Sequence, residues 1–138
     1  MAQGQWSASS VIRLLTILSS YNIEAMGAFV DVETFFSAVY LVDFSPSLCD
    51  IARQRFSRLG WKNVTVVCQD ARAFRLPESE DHPRIGGGAD LISLSYSLSM
   101  IPDYYSVIDC LSSMLSPLGI LGVCDFYGMP WLSGRPFE

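Results

Sequence analysis

Two acidic residues stand where a carboxylate could bind a ligand. Asp43 follows the apolar run at residues 39–42, and Asp70 follows, after one glutamine, the β-branched run at residues 64–68. The segment between them has helical periodicity, so the pattern predicts strand, helix, strand with a right-handed crossover. Because the carboxyl ends of parallel strands lie at one edge of a sheet, both carboxylates are expected to face one crevice.

Such a crevice suits an adenosine group. One carboxylate can accept hydrogen bonds from the two ribose hydroxyls. The other can accept from the exocyclic amine of adenine, while the backbone amide of Ala71 donates to a ring nitrogen. The alternative is that Asp43 and Asp70 only cap the turns or helices that follow them. For either acid alone capping is the better interpretation, but the pair in matching strand contexts favours adenosine binding.

A serine-rich segment, residues 95–102, follows the predicted strand at residues 89–96. Its position would place the hydroxyls of Ser95 and Tyr96 beside the reacting end of a bound cofactor, and a strand-to-helix connection without a ligand is an equal alternative. His82, the only histidine, lies in an acidic loop with no nucleophilic serine or cysteine elbow beside it, which predicts a solvated side chain. The sequence therefore predicts no metal site and identifies no catalytic residue.

The helix after Asp43 has clear boundaries. Ser45 or Ser47 can cap it, Pro46 suits its first turn, and Gly60 suits a left-handed residue after its end. Its predicted buried stripe consists of Leu48, Ile51, Ala52, Phe56 and Leu59. Further helices are predicted from residue 22 to about 30 and after residue 103, and the last strand at residues 120–126 follows a turn at residues 116–119. Residues 11–18 fit either a buried strand or a short helix.

Composition predicts a single folded α/β domain over residues 1–138. Half of the residues are hydrophobic, 17% are charged and the net charge is -5, so disorder and a basic nucleic-acid-binding surface are both disfavoured. The four cysteines form no C-x-x-C pair, which favours buried, reduced thiols over a zinc site. The N-terminal region lacks a signal-peptide layout, and its apolar segment is too short to span a bilayer.

Several longer strings give the chain a family resemblance. It is similar to class I S-adenosylmethionine-dependent methyltransferases over residues 21–127, and more specifically to the methyltransferase part of fungal-type betaine lipid synthase. The strings are Tyr-Asn-Ile-Glu-Ala-Met at 21–26, Leu-Val-Asp-Phe-Ser-Pro-Ser-Leu-Cys at 41–49, Arg-Leu-Gly-Trp-Lys-Asn-Val at 58–64, Val-Cys-Gln-Asp-Ala-Arg at 67–72, Leu-Ser-Tyr-Ser-Leu-Ser-Met-Ile-Pro at 94–102 and Asp-Phe-Tyr at 125–127.

The resemblance implies a Rossmann-like, mostly parallel, three-layer αβα fold that is incomplete at both ends. It implies S-adenosylmethionine as cofactor, a lipid headgroup amine as acceptor, and an intracellular location, cytoplasmic or peripheral on the endoplasmic reticulum membrane. By motif position Asp43 would hold the ribose, Asp70 and Ala71 the adenine, and Ser95 and Tyr96 the sulfonium end. The remaining cofactor-binding residues implied are Tyr21, Asn22 and Phe44.

One departure from the family affects the fold. The glycine-rich turn that lets the backbone approach the cofactor is replaced by Leu18, Ser19 and Ser20. The family strand order is 3-2-1-4-5, so a missing first strand would leave two rows of buried backbone groups unpaired. We therefore predict that residues 11–18 form the central strand. The rival functional interpretations are a non-catalytic remnant that binds cofactor weakly or not at all, and a nicotinamide dehydrogenase, which would not explain Asp70.

Overall fold

The computed structural model describes residues 12–17, 20–77 and 88–126, and the side chains of residues 12–17 and 20–22 are outside that description. The described elements alternate between strands and helices, with a short 3-10 helix at Leu98–Met100. In chain order they are β1 Ile12–Ile17, α1 Ser20–Met26, α2 Val32–Phe35, β2 Phe36–Asp43, α3 Pro46–Leu59, β3 Val64–Cys68, β4 Ala89–Ser95, α4 Tyr104–Ser113 and β5 Leu115–Cys124.

The strands form one parallel sheet in the order β3-β2-β1-β4-β5. β1 is central: Leu14 is in register with Val39 of β2 on one side and with Leu91 of β4 on the other. The prediction that the segment at residues 11–18 fills the central position is confirmed over Ile12–Ile17. This strand gives the facing backbone groups of β2 and β4 their hydrogen-bond partners.

Helices cover both faces of the sheet, which confirms the three-layer αβα prediction. Alternate residues of β2 belong to two different cores, as the period of a strand requires. One core lies against α4 and includes Val42, Ile92, Leu94, Val107 and Leu111. The other lies against α1, α2 and α3 and includes Ile23, Val32, Val39, Leu41, Ala52 and Phe56.

The predicted boundaries of α3 are correct, but its predicted buried stripe is correct only for Ala52 and Phe56. Ser45 is the N-cap residue, Pro46 occupies the first turn, and Gly60 ends the helix with φ 74°. The buried residues are Cys49, Ala52 and Phe56, whereas three residues of the expected stripe are exposed, Leu48 by 46%, Ile51 by 49% and Leu59 by 37%. The ring of Phe56 stacks on that of Trp61, with centroids 5.9 Å apart. The buried side of the helix is therefore the narrow stripe that contains Cys49, Ala52 and Phe56.

Three local features differ from the sequence prediction. α1 ends at Met26, before Gly27, a position where a Cβ would come within 2.8 Å of the Trp61 ring. α2 is an additional helix of four residues, too short to show a period, and its N-cap Asp31 accepts a hydrogen bond from the Glu33 amide. The predicted turn at residues 116–119 lies inside β5, where the register with β4 shifts.

The prediction that all four cysteines are buried is also wrong. All four thiols are free, but only Cys49 is buried, while Cys110 is half-buried and both Cys68 and Cys124 are exposed. The exposed pair lies on the last residues of β3 and β5, the two strands at the edges of the sheet that the described residues form. A strand pattern alone does not distinguish an edge from the centre of a sheet.

Candidate functional site

A cleft of about 310 Å³ lies at the carboxyl edge of the sheet. Small-molecule sites have volumes of roughly 300–1,000 Å³, so this cleft is at the lower end of that range. Its walls come from the residues that end or follow β2, β3 and β4, which are Val42, Asp43, Phe44, Gln69, Asp70, Ala71, Arg72, Met100, Ile101 and Pro102. The parallel arrangement thus brings Asp43 and Asp70 into one cleft.

Asp43 is the last residue of β2 and is only 6% exposed. Its Oδ1 accepts a hydrogen bond of 2.8 Å from the Ser45 amide. Burial raises the pKa of this carboxyl, while hydrogen bonds from the Ser45 and Phe44 amides act in the opposite direction. Asp43 therefore caps the turn that follows and lines the cleft at the same time, so the two interpretations of this acid coexist.

Asp70 is bound by an arginine that sequence reasoning missed. The Arg72 guanidinium contacts both carboxylate oxygens, with Nη2 2.6 Å from Oδ2, and the Arg72 amide donates to Oδ1 at 2.9 Å. This hydrogen-bonded ion pair holds the pKa of Asp70 below its usual range. The opposite charges two residues apart were a signal that could have revealed the contact.

The other predicted cofactor residues are placed differently. Ala71 is buried, Phe44 is exposed, and both line the cleft. Ser95 and Tyr96 lie at the carboxyl end of β4, and neither is among the residues that line the cleft. Tyr21 and Asn22 belong to α1, but their side chains lie outside the described part of the structure, as do residues 18 and 19.

The wall opposite the two acids is formed by Met100, Ile101 and Pro102. This segment is tied to the residue after β5: Asp125 accepts a hydrogen bond of 2.8 Å from the Ser99 amide and one of 2.7 Å from the Ser99 hydroxyl. Sequence reasoning did not assign this wall, because nothing in the local pattern pairs residue 99 with residue 125. The cleft thus combines an apolar wall with a wall that carries two carboxylates.

Metal-binding clusters and membrane-spanning helices are both absent from residues 12–17, 20–77 and 88–126. Within these ranges, no cluster of three or more histidine, cysteine or acidic side chains is arranged to hold a metal ion. None of the helices described there is long and apolar enough to cross a membrane.

Comparison with known families gives a match over most of the chain. The model of the ubiE/COQ5 methyltransferase family matches residues 15–131. No match was found among curated proteins.

Several solved structures have a similar fold, among them an S-adenosylmethionine-dependent methyltransferase. The YcgJ protein from Bacillus subtilis is 16% identical, with a TM-score of 0.69 over 92% of this chain and 49% of its own. An S-adenosylmethionine-dependent methyltransferase from Aquifex aeolicus is 16% identical, with a TM-score of 0.66 over 91% of this chain and 62% of its own. PKMT2 from Rickettsia typhi, solved with S-adenosylhomocysteine, is 18% identical, with a TM-score of 0.61 over 80% of this chain and 20% of its own. The chain spans about half the length of the first of these structures.

Proposed function

This chain belongs to the ubiE/COQ5 methyltransferase family, and from that membership we propose that it binds S-adenosylmethionine in the cleft at the carboxyl edge of the sheet and directs methyl transfer from it. S-adenosylmethionine is the cofactor that membership of this family indicates. The observation that carries the proposal is the pairing of Asp43 and Asp70 in one cleft, at the ends of adjacent parallel strands. Open α/β sheets bind nucleotide-like ligands at this edge.

The residues present fit the adenosine part of this cofactor. Asp43 supplies a buried carboxylate that can accept from ribose hydroxyls, and Asp70 with the Ala71 amide can bind the edge of adenine. The apolar side chains of Met100, Ile101 and Pro102 provide a surface for the flat base. Arg72 already donates to both oxygens of Asp70. To bind the amine of adenine as well, the carboxylate must either use its remaining lone pairs or lose its contact with the Arg72 side chain.

The cofactor supplies an activated methyl group on a sulfonium. The work left to this chain is to align donor and acceptor for an in-line displacement and to exclude water, and alignment alone can supply much of the rate. An amine acceptor needs only an unprotonated nitrogen, so the cleft does not require a general base for it.

We propose further that the acceptor is the headgroup amine of a betaine-type lipid precursor. The support is the set of sequence strings at residues 21–26, 41–49, 58–64, 67–72, 94–102 and 125–127. A lipid acceptor would place the protein at a membrane surface inside the cell, cytoplasmic or peripheral on the endoplasmic reticulum.

A non-catalytic remnant is the second candidate, and one observation favours it. Arg72 occupies the carboxylate that the adenine amine would need, with contacts from both the guanidinium and the backbone. An ion pair exposed at the surface is worth only about 0–1 kcal/mol, so a ligand can displace it, but a chain without cofactor would keep it.

Calorimetric titration with S-adenosylmethionine tests the cofactor site. We expect binding to the native chain and binding about tenfold weaker or worse to Asp43→Ala, since a hydrogen bond to a charged group contributes about 1.5–3 kcal/mol. The matched control is Asp50→Ala, which removes an exposed aspartate of α3 paired with Arg53 and should leave the affinity unchanged. No binding at millimolar cofactor would favour the remnant. Equal affinity in Asp43→Ala would move the site away from this cleft.

Methyl transfer tests the acceptor. The native chain is incubated with cofactor labelled in its methyl group and with mixed micelles of a diacylglyceryl homoserine lipid, and the label in the lipid is measured. We expect transfer to the lipid amine, and transfer about tenfold lower or less with Asp43→Ala at a cofactor concentration below the Kd of the native chain. Cofactor binding without transfer to this lipid would contradict the acceptor while leaving the cofactor proposal in place.

A further inference from the structure

A second pocket, of about 200 Å³, lies beside the cleft on the β5 side. It is lined by Leu98, Ser99, Tyr104, Asp125 and Phe126. We propose that this aromatic pocket binds an organic ammonium group, a methylated amine or quaternary ammonium, through ring faces and the Asp125 carboxylate. Its use as the acceptor subsite rests on the proposed methyltransferase function, whereas ammonium binding itself does not.

Two aromatic rings line the pocket, and each packs against a second ring that does not line it. Phe126 lines it and packs against the Tyr96 ring, with centroids 4.9 Å apart. Tyr104 also lines it and packs against Tyr105, with centroids 4.2 Å apart. Phe126 is nevertheless 73% exposed to solvent. Ring faces carry negative potential and attract cations, quaternary ammonium groups among them.

Asp125 adds a fixed negative charge to these rings. Its carboxylate accepts hydrogen bonds from the Ser99 amide, the Ser99 hydroxyl and, at 2.7 Å, the Phe126 amide. These hydrogen bonds lower the pKa of Asp125, so it is ionised at neutral pH. Among the described residues, none that lines the pocket is a lysine or an arginine, so the charge they provide suits an ammonium ligand better than an anion.

The backbone at Tyr96 is held in a conformation that bulky residues rarely adopt. Its φ is 52°, and its amide donates a hydrogen bond of 2.7 Å to the Cys124 carbonyl. Such strain persists only where the surrounding structure enforces it, and it is common at ligand sites. Tyr96 is the residue directly after β4, and in this left-handed conformation its ring packs on Phe126.

The pocket shares one segment of chain with the cofactor cleft. Leu98 and Ser99 line the pocket, and the residues that follow them, Met100, Ile101 and Pro102, line the cleft. A single turn of 3-10 helix, Leu98–Met100, therefore belongs to both walls. An amine bound in the pocket would lie beside the cofactor cleft, and the ring of Tyr96, a residue expected at the sulfonium end, packs on Phe126 of the pocket.

The test compares choline with its uncharged carbon analogue, 3,3-dimethylbutan-1-ol, by NMR titration of the full chain. Both have the same shape, so a difference in affinity reports the charge. We expect choline to bind about tenfold more tightly, with its methyl protons shifted upfield by the rings and with the amides of Ser99 and Phe126 perturbed. Equal binding of the two compounds, or perturbation elsewhere in the chain, would overturn the proposal.

Two variants separate ring and charge. Phe126→Leu keeps an apolar side chain and removes the ring face, and it should weaken choline binding about five- to tenfold. Asp125→Asn keeps an acceptor for Ser99 and removes the charge, and it should also weaken choline binding without affecting the uncharged analogue. The matched control is Phe29→Leu, the same change at an exposed phenylalanine outside the pocket. Circular dichroism of each variant establishes that it is folded.

Titration of the same samples with S-adenosylmethionine keeps the two proposals apart. Choline binding without cofactor binding would contradict the proposed function and leave the ammonium site standing. Cofactor binding without preference for choline over its analogue would overturn the ammonium site alone. No detectable choline binding at millimolar concentration would also overturn it.

Discussion

Asp43 combines negative charge with burial, and these two properties oppose each other. The carboxylate is 6% exposed, and burial raises its pKa. Folding therefore favours the protonated form, whereas binding of ribose hydroxyls favours the ionised form, which accepts on both oxygens. A carboxylate that is kept buried although burial disfavours its ionised form is typical of a functional site.

We predict opposite effects of Asp43→Asn on stability and on binding. A carboxyl whose pKa is raised by folding stabilises the fold below its unfolded pKa, and this contribution is lost as the pH rises through the folded pKa. At pH 7 the asparagine variant should therefore unfold at the same temperature as the native chain or a higher one, since asparagine can still accept from the Ser45 amide. Its affinity for S-adenosylmethionine should fall about tenfold or more.

Scanning and titration calorimetry at pH 7 and near pH 4 measure both effects. The affinity of the native chain should fall as the pH is lowered through the raised pKa of Asp43, and the affinity of the variant should change less. A variant much less stable than the native chain at pH 7 would show that the carboxylate serves the fold rather than a ligand.

The cysteines give a second prediction at the scale of single residues. Burial, together with the neighbouring Cys68 thiol, raises the pKa of Cys49 to about 11, while Cys68 and Cys124 are exposed. The thiolate is the reactive form, so iodoacetamide at pH 8 should label Cys68 and Cys124 first and leave Cys49 unmodified until the chain unfolds. Mass spectrometry of tryptic peptides measures this order, and early labelling of Cys49 would contradict it.

Among the elements, the strand β1 has only six residues, yet it joins the two halves of the sheet. It pairs along its length with β2 and over Leu14–Ile17 with β4. Its position was predictable from the sequence, because an αβα sheet of this order without a central strand would leave buried backbone groups unpaired. The buried face of α3 was not predictable from its own pattern, because apolar residues occur on both sides of that helix.

We predict that proline is tolerated far less well in β1 than in an edge strand. Leu15→Pro removes an amide from the centre of the sheet, where backbone groups pair with both neighbouring strands, and should abolish the cooperative thermal transition. Cys68→Pro changes the edge strand β3 instead. The amide of the next residue, Gln69, donates to the Asp43 carbonyl of β2. Because successive amides of a strand point to opposite sides, the amide of residue 68 points away from β2 and its loss breaks no hydrogen bond to that strand. Cys68→Pro should cost only about 1 kcal/mol. Equal loss in the two variants would contradict a central position for β1.

For the whole molecule, the sheet and its two helical layers persist while the sequence changes. Structures only 16–18% identical share this fold with TM-scores of 0.61–0.69. What such proteins share is the alternation of strands and helices, which places the ends of β2, β3 and β4 at one edge whatever residues stand there. The side chains at those strand ends then determine which ligand binds.

Ligand binding should stabilise the whole domain. If S-adenosylmethionine binds the folded chain alone, a concentration of 100 times Kd should add about 2.7 kcal/mol to the free energy of unfolding. For a domain of 138 residues this corresponds to a rise in Tm of roughly 5–10 °C. Scanning fluorimetry measures the shift, Asp43→Ala should keep about half of it or less, and Asp50→Ala should keep it in full. An equal shift in all three proteins would contradict binding at Asp43.

With the strand order that the family resemblance implies, the sequence predicted a central strand at residues 11–18, which the structure shows over Ile12–Ile17. The sequence by itself determined the order of the elements other than α2, the parallel sheet, the boundaries of α3, and the placement of Asp43 and Asp70 at one edge. These follow from period, capping chemistry and the need to pair backbone groups, all of which are local or topological. The tertiary structure decided which face of α3 is buried, which thiols are exposed, that Arg72 binds Asp70, and that Ser99 and Asp125 join to hold one wall of the cleft. The physical reason is that these contacts depend on the distances between side chains brought together by packing, and no local pattern of residues encodes those distances.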